Sequence, residues 1–203
     1  MTVFVKICGV TSAEALRAAT EAGADAVGFV FAESPRRLSV AEAAELAADL
    51  PDTLVRVAVM FHPTQAEFDE VAAGFKPDWI QTDAEDFSML NISPDIGRMP
   101  VYRDAPDLDD SAMANEEQCL YEAPVSGAGH KADWNLARVL ANKTRLMLAG
   151  GLTPENIGTA IRQVRPWGVD VSSGVERVRG IKDPDRIVAF INAVRELECA
   201  DAG

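Results

Sequence analysis

The stretch Lys6-Ile7-Cys8-Gly9 ends the first apolar run of the chain, which covers residues 3–7. Short apolar runs rich in β-branched residues are typical of buried strands. The run therefore predicts a strand with a thiol at its end, where the chain leaves the sheet for a loop. We expect this thiol to face a substrate and the rest of the chain to build the site around it.

Similar apolar runs follow to the C-terminus, and segments with helical features separate them. Thr11 or Ser12 can cap the first helix and Gly23 ends it, while Thr153 and Asp183 are expected to cap the last two. The predicted strands cover residues 3–7, 26–31, 54–61, 78–81, 98–103, 118–122, 145–149 and 169–171. The predicted helical segments cover residues 12–22, 40–50, 64–75, 82–88, 104–117, 134–141, 154–164 and 184–197.

This alternation of strands and helices indicates the fold. Apolar strands that alternate with helices predict a parallel sheet covered by helices, the α/β class. Eight such units predict one closed (β/α)8 TIM barrel, made by the whole chain over residues 1–203. An open doubly wound sheet is the alternative, and it is less favoured because no Gly-x-Gly-x-x-Gly motif follows a strand.

Composition narrows the classes of partner. The chain has 203 residues, 48% of them hydrophobic, and a net charge of −13, which disfavours nucleic acids and anionic membranes as partners. The first residues lack the basic, apolar and small-residue pattern typical of a signal peptide, and no apolar run is long enough to cross a bilayer, so we expect neither a leader nor a membrane span. Three cysteines without a disulfide or metal-binding spacing indicate a reducing compartment, so we expect a cytoplasmic protein.

Residues at the ends of strands are the candidates for catalysis, because the loops after the strands form the functional face of a TIM barrel. Cys8 ends the first strand, and Lys6 should point to the same side. A thiol needs a lowered pKa or a positive neighbour to act as a base, so we predict that Lys6 favours the thiolate. Glu122 ends the sixth strand and is a candidate proton donor. The alternatives are an inert buried cysteine and a solvated loop carboxylate.

Glycine-containing segments follow the last two barrel strands. Gly150-Gly151 end the seventh strand, and Ser172-Ser173-Gly174 end the eighth. Either segment alone is explained by a turn. Together, on adjacent strands, they predict a phosphate site built from backbone N–H groups. Gly127 and Gly129, in the loop after strand six, are expected to close over the same ligand.

The remaining charged candidates are an arginine pair and one acidic residue. An arginine on the loop that carries Arg36 and Arg37 can bind a carboxylate through two hydrogen bonds, although one of the pair is expected to be solvated. Asp170 on strand eight should neighbour Lys6 once the barrel closes, as a structural ion pair. The two histidines are isolated in the sequence, so no metal site is predicted.

Several of these motifs together resemble the phosphoribosylanthranilate isomerase family, in order and at matching spacing. The resemblance rests on residues 6–9, Gly23-Ala24-Asp25-Ala26, Gly28-Phe29-Val30-Phe31, Ser34-Pro35-Arg36, Asp133-Trp134, residues 149–156 and residues 169–176. It implies a (β/α)8 barrel that binds a phosphorylated aminosugar and uses no cofactor. The implied reaction is the Amadori rearrangement of N-(5-phosphoribosyl)anthranilate in tryptophan biosynthesis. We expect a monomer or a weak homodimer.

The resemblance also implies roles for individual residues. By position, Cys8 matches the general base and Arg36 matches the group that binds the anthranilate carboxylate. Gln81 is retained from the Gln-Leu-His-Gly stretch of the family, which reads Gln81-Thr82-Asp83-Ala84 here. The family's acid is an aspartate in a Leu-Leu-Asp stretch, where this chain has Leu120-Tyr121-Glu122.

Two other functions remain alternatives. One is a degenerate barrel that binds a phosphosugar without turnover. The other is the related sugar isomerase of histidine biosynthesis, or a bifunctional enzyme with both activities. The site of the histidine-pathway isomerase family is expected to contain two aspartates on opposite strands, whereas the first strand of this chain ends in Cys8.

Overall fold

The computed structural model of the chain contains a closed barrel of eight parallel strands, as predicted. The structure describes residues 2–105, 108, 110–125 and 131–201. The barrel strands are β1 (Phe4–Cys8), β2 (Ala26–Val30), β3 (Val55–Val59), β4 (Trp79–Asp83), β5 (Gly97–Arg103), β6 (Gln118–Glu122), β7 (Arg145–Leu148) and β8 (Gly168–Val171). The ring closes between β1 and β8, where Lys6 lies opposite Asp170 in the register.

Helices follow the strands on the outside of the barrel. They are α1 (Ala13–Ala22), α2 (Val40–Leu46), α3 (Gln65–Gly74), α4 (Asp110–Met113), α5 (Trp134–Leu140), α6 (Ile157–Val164) and α7 (Pro184–Asp201). Ser39 and Thr64 cap α2 and α3, each in a capping box with a glutamate three residues later. Within the described parts of the chain, no helix has the length and apolar composition needed to cross a membrane.

Three helix predictions were wrong in their extent. The helix expected over 104–117 is confined, among the described residues, to α4, because this acidic segment has a poor apolar periodicity. The segment after β7 does not become helical at Pro154. The Asn156 side chain instead accepts from the Thr153 backbone N–H and donates to the Gly151 carbonyl, and α6 begins only at Ile157. Helix α2 ends at Leu46, before the expected residue 50.

A hairpin that the sequence did not predict follows β8. A 3₁₀ turn (Ser173–Val175) leads into β9 (Glu176–Val178), which pairs in antiparallel fashion with β10 (Ile181–Lys182). Gly180 turns the chain between them with a φ of +88°, a conformation that glycine adopts without strain. The hairpin brings Glu176 and Lys182 back towards the barrel mouth.

Apolar side chains fill the lower half of the barrel. Phe4 lies between Trp79 and Trp167 at the N-terminal ends of the strands, with ring centroids 5.5 Å and 4.8 Å away. The interior above these rings is also apolar: Met99, Val101, Leu120, Met147 and Ala149. Because this packing closes the bottom, the polar groups of the interior are gathered at the C-terminal ends of the strands, where TIM barrels place their sites.

Candidate active site

Lys6 and Cys8 share the inner face of β1, since alternate residues of a strand point to the same side. Lys6 is fully buried, and its Nζ lies 2.7 Å from Asp170 Oδ1. The predicted ion pair between these residues is therefore confirmed. Cys8 is only 7% exposed, so the thiol lies inside the barrel mouth and not on a solvated loop.

The charges around Cys8 oppose one another. Burial raises the pKa of the Cys8 thiol above its ordinary value, because a buried thiolate loses its hydration. The positive charge of Lys6 lowers the pKa of Cys8, Asp170 raises it, and Lys182 lowers it. The influence of Lys6 has the predicted sign, but burial outweighs it. Although burial also disfavours a charged amine, Asp170 raises the pKa of Lys6 and keeps it protonated.

Gly28 on β2 leaves the space in which the thiol and the ammonium group meet. A Cβ at this position would lie 3.1 Å from Cys8 Sγ and 3.2 Å from Lys6 Nζ. These distances are shorter than ordinary van der Waals contacts, so a larger residue would have to displace one group or the other. The missing side chain of Gly28 thus leaves room for the thiol and the ammonium group side by side.

Arg36 reaches the same region from the loop after β2. Its side chain packs on Gly9, where an added Cβ would lie 2.5 Å from Arg36 Cδ. Arg36 is buried, and its guanidinium donates two hydrogen bonds to Glu176, from Nε at 2.6 Å and from Nη2 at 3.0 Å. Arg37 is exposed, as was expected for one of the two arginines.

The two glycine segments after β7 and β8 lie against each other. Gly150 and Gly151 have φ values of +87° and +64°, which favour glycine. A Cβ on Gly174 would lie 1.8 Å from the Leu152 carbonyl oxygen, so here the two loops touch backbone to backbone. A small pocket of about 40 Å³ joins these segments to Glu122 and to Ser172 and Ser173.

A larger cavity of about 510 Å³ lies next to this pocket, lined by Thr153, Arg177 and Arg186 as well as by both glycine segments. Neither Cys8 nor Glu122 lines it. The smaller pocket contains the Glu122 carboxylate and both glycine segments, whereas Cys8 lines neither of the two cavities. The larger cavity also has Glu176 and Asp183 in its lining.

Gln81 offers an unused acceptor to the barrel interior. It lies on β4 on the same side as Trp79, which faces the inside, and it is buried. Its Oε1 accepts no hydrogen bond from any residue that the structure describes. A buried acceptor without a donor is unfavourable, so a ligand that donates a hydrogen bond here would relieve that cost.

Glu122 ends β6 with a side chain that is 13% exposed. Its Oε1 lies 3.3 Å from Nε of Arg103, and Nη1 of the same arginine pairs with Asp83. Arg103 therefore bridges two carboxylates across β4, β5 and β6. An arginine partner stabilises an ionised carboxylate, so a protonated Glu122 would weaken this ion pair.

His62, on the loop after β3, contacts two further acids. Its Nδ1 lies 2.9 Å from Asp86 and its Nε2 lies 3.5 Å from Asp83. The hydrogen bond with Asp86 raises the pKa of His62. His62, Glu85 and Asp86 are close enough to one another to bind a cation. Ion pairing accounts for the cluster, and no metal is assigned to it.

The structure thus gathers most of the predicted residues at one end of the barrel: Cys8, Arg36, Gln81, Glu122, Gly150, Gly151, Ser172, Ser173 and Gly174. Gly127 and Gly129 lie outside the described residues. The sequence did not predict the charged partners Asp83, Arg103, Glu176 and Lys182. Glu176 closes the motif after strand eight and Arg103 ends strand five, so the strand-end rule could have found both.

Known proteins share this architecture and these motifs. Residues 5–193 match the model of the family described as N-(5'-phosphoribosyl)anthranilate (PRA) isomerase. A relative of that name from Rhodospirillum rubrum is 41% identical over 213 residues, covering 95% of this chain and 97% of that protein. The crystal structure of phosphoribosyl anthranilate isomerase from Thermotoga maritima has a TM-score of 0.83 at 32% identity, covering 96% of this chain and 100% of that one.

A further solved structure is informative about ligands in this group of proteins. It is a phosphoribosyl anthranilate isomerase in complex with reduced 1-(o-carboxyphenylamino)-1-deoxyribulose 5-phosphate. Its TM-score is 0.83 at 33% identity, and the alignment covers 96% of this chain and 100% of that one. The barrel, the strand-end motifs and these similarities lead to one conclusion: the chain belongs to the N-(5'-phosphoribosyl)anthranilate isomerase family.

Proposed function

We propose that this isomerase uses Cys8 as its general base and Glu122 as its general acid. The reaction is the Amadori rearrangement of N-(5-phosphoribosyl)anthranilate to 1-(2-carboxyphenylamino)-1-deoxyribulose 5-phosphate, a step of tryptophan biosynthesis. The observation that carries the assignment is the order of four neighbouring strand ends. Glu122 ends β6, the glycine segments follow β7 and β8, and Cys8 ends β1. A ligand held by the glycine segments is flanked by one candidate acid and one candidate base.

Substrate binding follows from the groups around this pair. The backbone N–H groups of residues 150–151 and 172–174 are suited to the 5-phosphate. Arg36, a buried cation next to Cys8-Gly9, is suited to the anthranilate carboxylate. The free Oε1 of Gln81 can accept a hydrogen bond from the sugar or the amine. Gly127 and Gly129 remain predicted to close over the phosphate.

The first chemical step opens the furanose ring. Protonated Glu122 donates to the ring oxygen while the bond between this oxygen and C1 breaks. The nitrogen lone pair forms the C1–N double bond of a Schiff base. Because Arg103 stabilises ionised Glu122, the ion pair between them favours the product side of this proton transfer.

The second step is the isomerisation itself. The Cys8 thiolate removes the proton from C2, and the electron pair of the broken C2–H bond turns the C1–C2 single bond into a double bond while the π electrons of the Schiff base return to nitrogen. The resulting enolamine tautomerises to the ketone. Lys6 and Lys182 favour the thiolate that this step requires, against the effect of burial.

We also propose the domain organisation, oligomeric state and cellular compartment of the enzyme. The whole chain, residues 1–203, is expected to act as one barrel domain, as a monomer or a weak homodimer. All three cysteines are free thiols, which supports a reducing compartment such as the cytoplasm. Size-exclusion chromatography with light scattering across a range of concentrations would test the oligomeric part of this proposal.

The test of the assignment is turnover of freshly made phosphoribosylanthranilate, followed by fluorescence. Cys8→Ser and Glu122→Gln should each lower kcat by about 100-fold or more, with smaller changes in KM. Cys119→Ser is the matched control, because Cys119 is buried outside the barrel interior and burial raises its pKa to about 12. It should keep normal kcat. Near-normal kcat in both site variants would contradict the assignment.

A second outcome separates the remaining alternative. If the wild-type protein shows no turnover but binds the reduced product analogue tightly, the chain is a phosphosugar-binding barrel without activity. The ion pair of Glu122 with Arg103 is the feature that would favour that outcome, because a neighbouring arginine stabilises the ionised form of a carboxyl group over the protonated form that the first step requires.

A further inference from the structure

Glu176 is the centre of a buried charged cluster at the barrel mouth. Its carboxylate accepts two hydrogen bonds from Arg36, one from Lys182 Nζ at 3.1 Å and one from the Gly180 backbone N–H at 3.1 Å. The side chains of Arg36, Glu176 and Lys182 are 7%, 4% and 0% exposed. Ionised groups this deeply buried persist only when each has a partner.

Arg36 uses only one side of its guanidinium group for Glu176. Nε and one hydrogen of Nη2 point to the two carboxylate oxygens. Nη1 and the other hydrogen of Nη2 donate to no residue within the described parts of the chain. These two nitrogens form a second fork, with the spacing that matches a carboxylate. Glu176 therefore fixes the plane of the guanidinium and leaves its other fork for a ligand.

Lys182 connects this cluster to the phosphate end of the site. Its Nζ donates to the Ser172 carbonyl at 2.9 Å and to Ser172 Oγ at 3.2 Å, in addition to Glu176. Two cations and one carboxylate leave a formal charge of +1 on the cluster. A single anionic group of a ligand would neutralise it.

The hairpin β9–β10 holds the cluster against the loop of Arg36. At its turn, a Cβ on Gly180 would lie 2.9 Å from the Pro35 carbonyl oxygen. The loop itself is fastened by a hydrogen bond from the Arg36 backbone N–H to Ser34 Oγ at 3.1 Å. Backbone packing on one side and the ion pair on the other leave the guanidinium little freedom before a ligand arrives.

We propose that Glu176 is a positioning residue that sets the orientation of Arg36 for the carboxylate of the substrate, with Lys182 as its counter-charge. This inference rests on the proposed function, in which Arg36 binds that carboxylate. Glu176 touches Arg36 and not the reacting atoms, so its removal should weaken recognition of the carboxylate and leave other parts of the ligand unaffected.

A comparison of two ligands tests this role. One is the reduced product analogue, which carries the carboxyphenyl group; the other is the same compound with a plain phenyl group. Their Kd values are measured by fluorescence titration for the wild type, Glu176→Gln, Arg36→Met and the double variant. Glu155→Gln is the matched control, because Glu155 forms an exposed ion pair with Arg186. Thermal unfolding of every variant checks that it is folded.

The expected result is selective for the carboxylate. Glu176→Gln should raise the Kd of the carboxylated analogue by ~10-fold or more and change the Kd of the phenyl analogue by no more than ~2-fold. In the Arg36→Met background, Glu176→Gln should add little, since its effect passes through Arg36. Glu176→Asp, which keeps the charge on a shorter side chain, should recover part of the loss and replaces Glu176→Gln if that variant does not fold.

Three results would contradict this inference. An equal loss for both analogues would make Glu176 a merely structural residue and overturn the inference. An effect of Glu176→Gln that persists in full without Arg36 would do the same. If Arg36→Met failed to discriminate between the analogues, the proposed role of Arg36 would fall, and this inference with it. The turnover of Cys8→Ser is independent of all three.

Discussion

The two sides of the barrel mouth hold their charged groups in different ways. The base side consists of Lys6, Cys8, Arg36, Asp170 and Glu176, and its ion pairs are buried with contacts of 2.7 Å and 2.6 Å. The acid side consists of Gln81, Asp83, Arg103 and Glu122. There Arg103 is 26% exposed and lies 3.3 Å from Glu122, and the Gln81 acceptor has no described partner. The described contacts of the base side join buried charged groups to one another, whereas the acid side contains a buried acceptor, Gln81 Oε1, that has no described donor.

This difference follows the sequence motifs. The base side retains the segments that resemble the family, while the acid side carries the departures at residues 83 and 122. Arg103 connects these two positions, because it pairs with both carboxylates from the strand between them. Glu122, which is one methylene longer than an aspartate, has its carboxylate 3.3 Å from Arg103 Nε. The two departures are therefore physically linked through one guanidinium group.

The largest effect is expected at the two glycine segments, which we propose bind the phosphate. Gly174→Ala would place a Cβ 1.8 Å from the Leu152 carbonyl oxygen, and neither backbone can yield without separating the loops. Overpacking of this kind should raise KM for the phosphorylated substrate by about 100-fold. Gly158→Ala in α6 is the control, because an added Cβ there meets nothing closer than 3.5 Å. Steady-state kinetics decide the question, and an unchanged KM in Gly174→Ala would place the phosphate elsewhere.

Substitution of Arg103 is the most direct test of the acid side, because this residue contacts both of its carboxylates. Arg103→Met should lower kcat by about 10- to 100-fold with less change in KM, because a misplaced acid slows proton transfer more than binding. Arg103→Lys keeps the positive charge but cannot donate to both carboxylates through a planar guanidinium group. Its kcat should lie between those of Arg103→Met and the wild type. Steady-state kinetics on both variants provide the measurement.

A matched ion pair at the other end of the barrel controls for general damage. Arg56 pairs with Asp78 at the start of β3 and β4, with a contact of 3.1 Å, and Arg56→Met should leave kcat unchanged. If Arg103→Met turned over as fast as the wild type, Glu122 would not depend on Arg103 for its position. A comparable loss in Arg56→Met would mean that the effect is not local.

The base side was largely predictable from sequence because its parts are strand ends. Apolar runs gave the eight strands, and the parallel order of a barrel placed Lys6 next to Asp170. Cys8 and the glycine segments were found by their positions after strands. The pairing of Arg36 with Glu176 was not, because it joins residues 140 positions apart through a hairpin. The short strands β9 and β10 lack an apolar run from which they could have been predicted.

The acid side was less predictable because its interactions depend on register. Glu122 was identified as a candidate, but its partner Arg103 lies opposite it only in the paired strands β5 and β6. The sequence around Asp83 also gave no sign that this carboxylate faces the same arginine. The start of α6 was missed for a related reason, since the Asn156 side chain closes a turn that composition alone does not predict.

The charges near Cys8 predict two pH shifts of opposite sign. In the proposed mechanism Cys8 is a base only when it is deprotonated, so kcat/KM should rise with pH through the pKa of Cys8, which burial raises above its ordinary value. Lys6→Met removes a charge that lowers this pKa, so the rising limb should move to higher pH. Asp170→Asn removes a charge that raises it, so the limb should move to lower pH. Both variants break the same ion pair, and shifts in the same direction would refute the electrostatic account.

The smallest effect on kcat is expected from a substitution at Gly28, which lies on the base side. Gly28→Ala would bring a Cβ to 3.1 Å from Cys8 Sγ and 3.2 Å from Lys6 Nζ, contacts that side chains can relieve by moving a few tenths of an ångström. We expect kcat to fall by roughly 3- to 10-fold with little change in Tm, because the base moves while the fold does not. Gly97→Ala is the converse variant. Its Cβ would lie 2.3 Å from Trp79 at the apolar bottom of the barrel, so it should lower Tm and leave the pH profile unchanged. If Gly28→Ala behaved like Gly97→Ala, the space at Gly28 would serve packing and not the placement of the base.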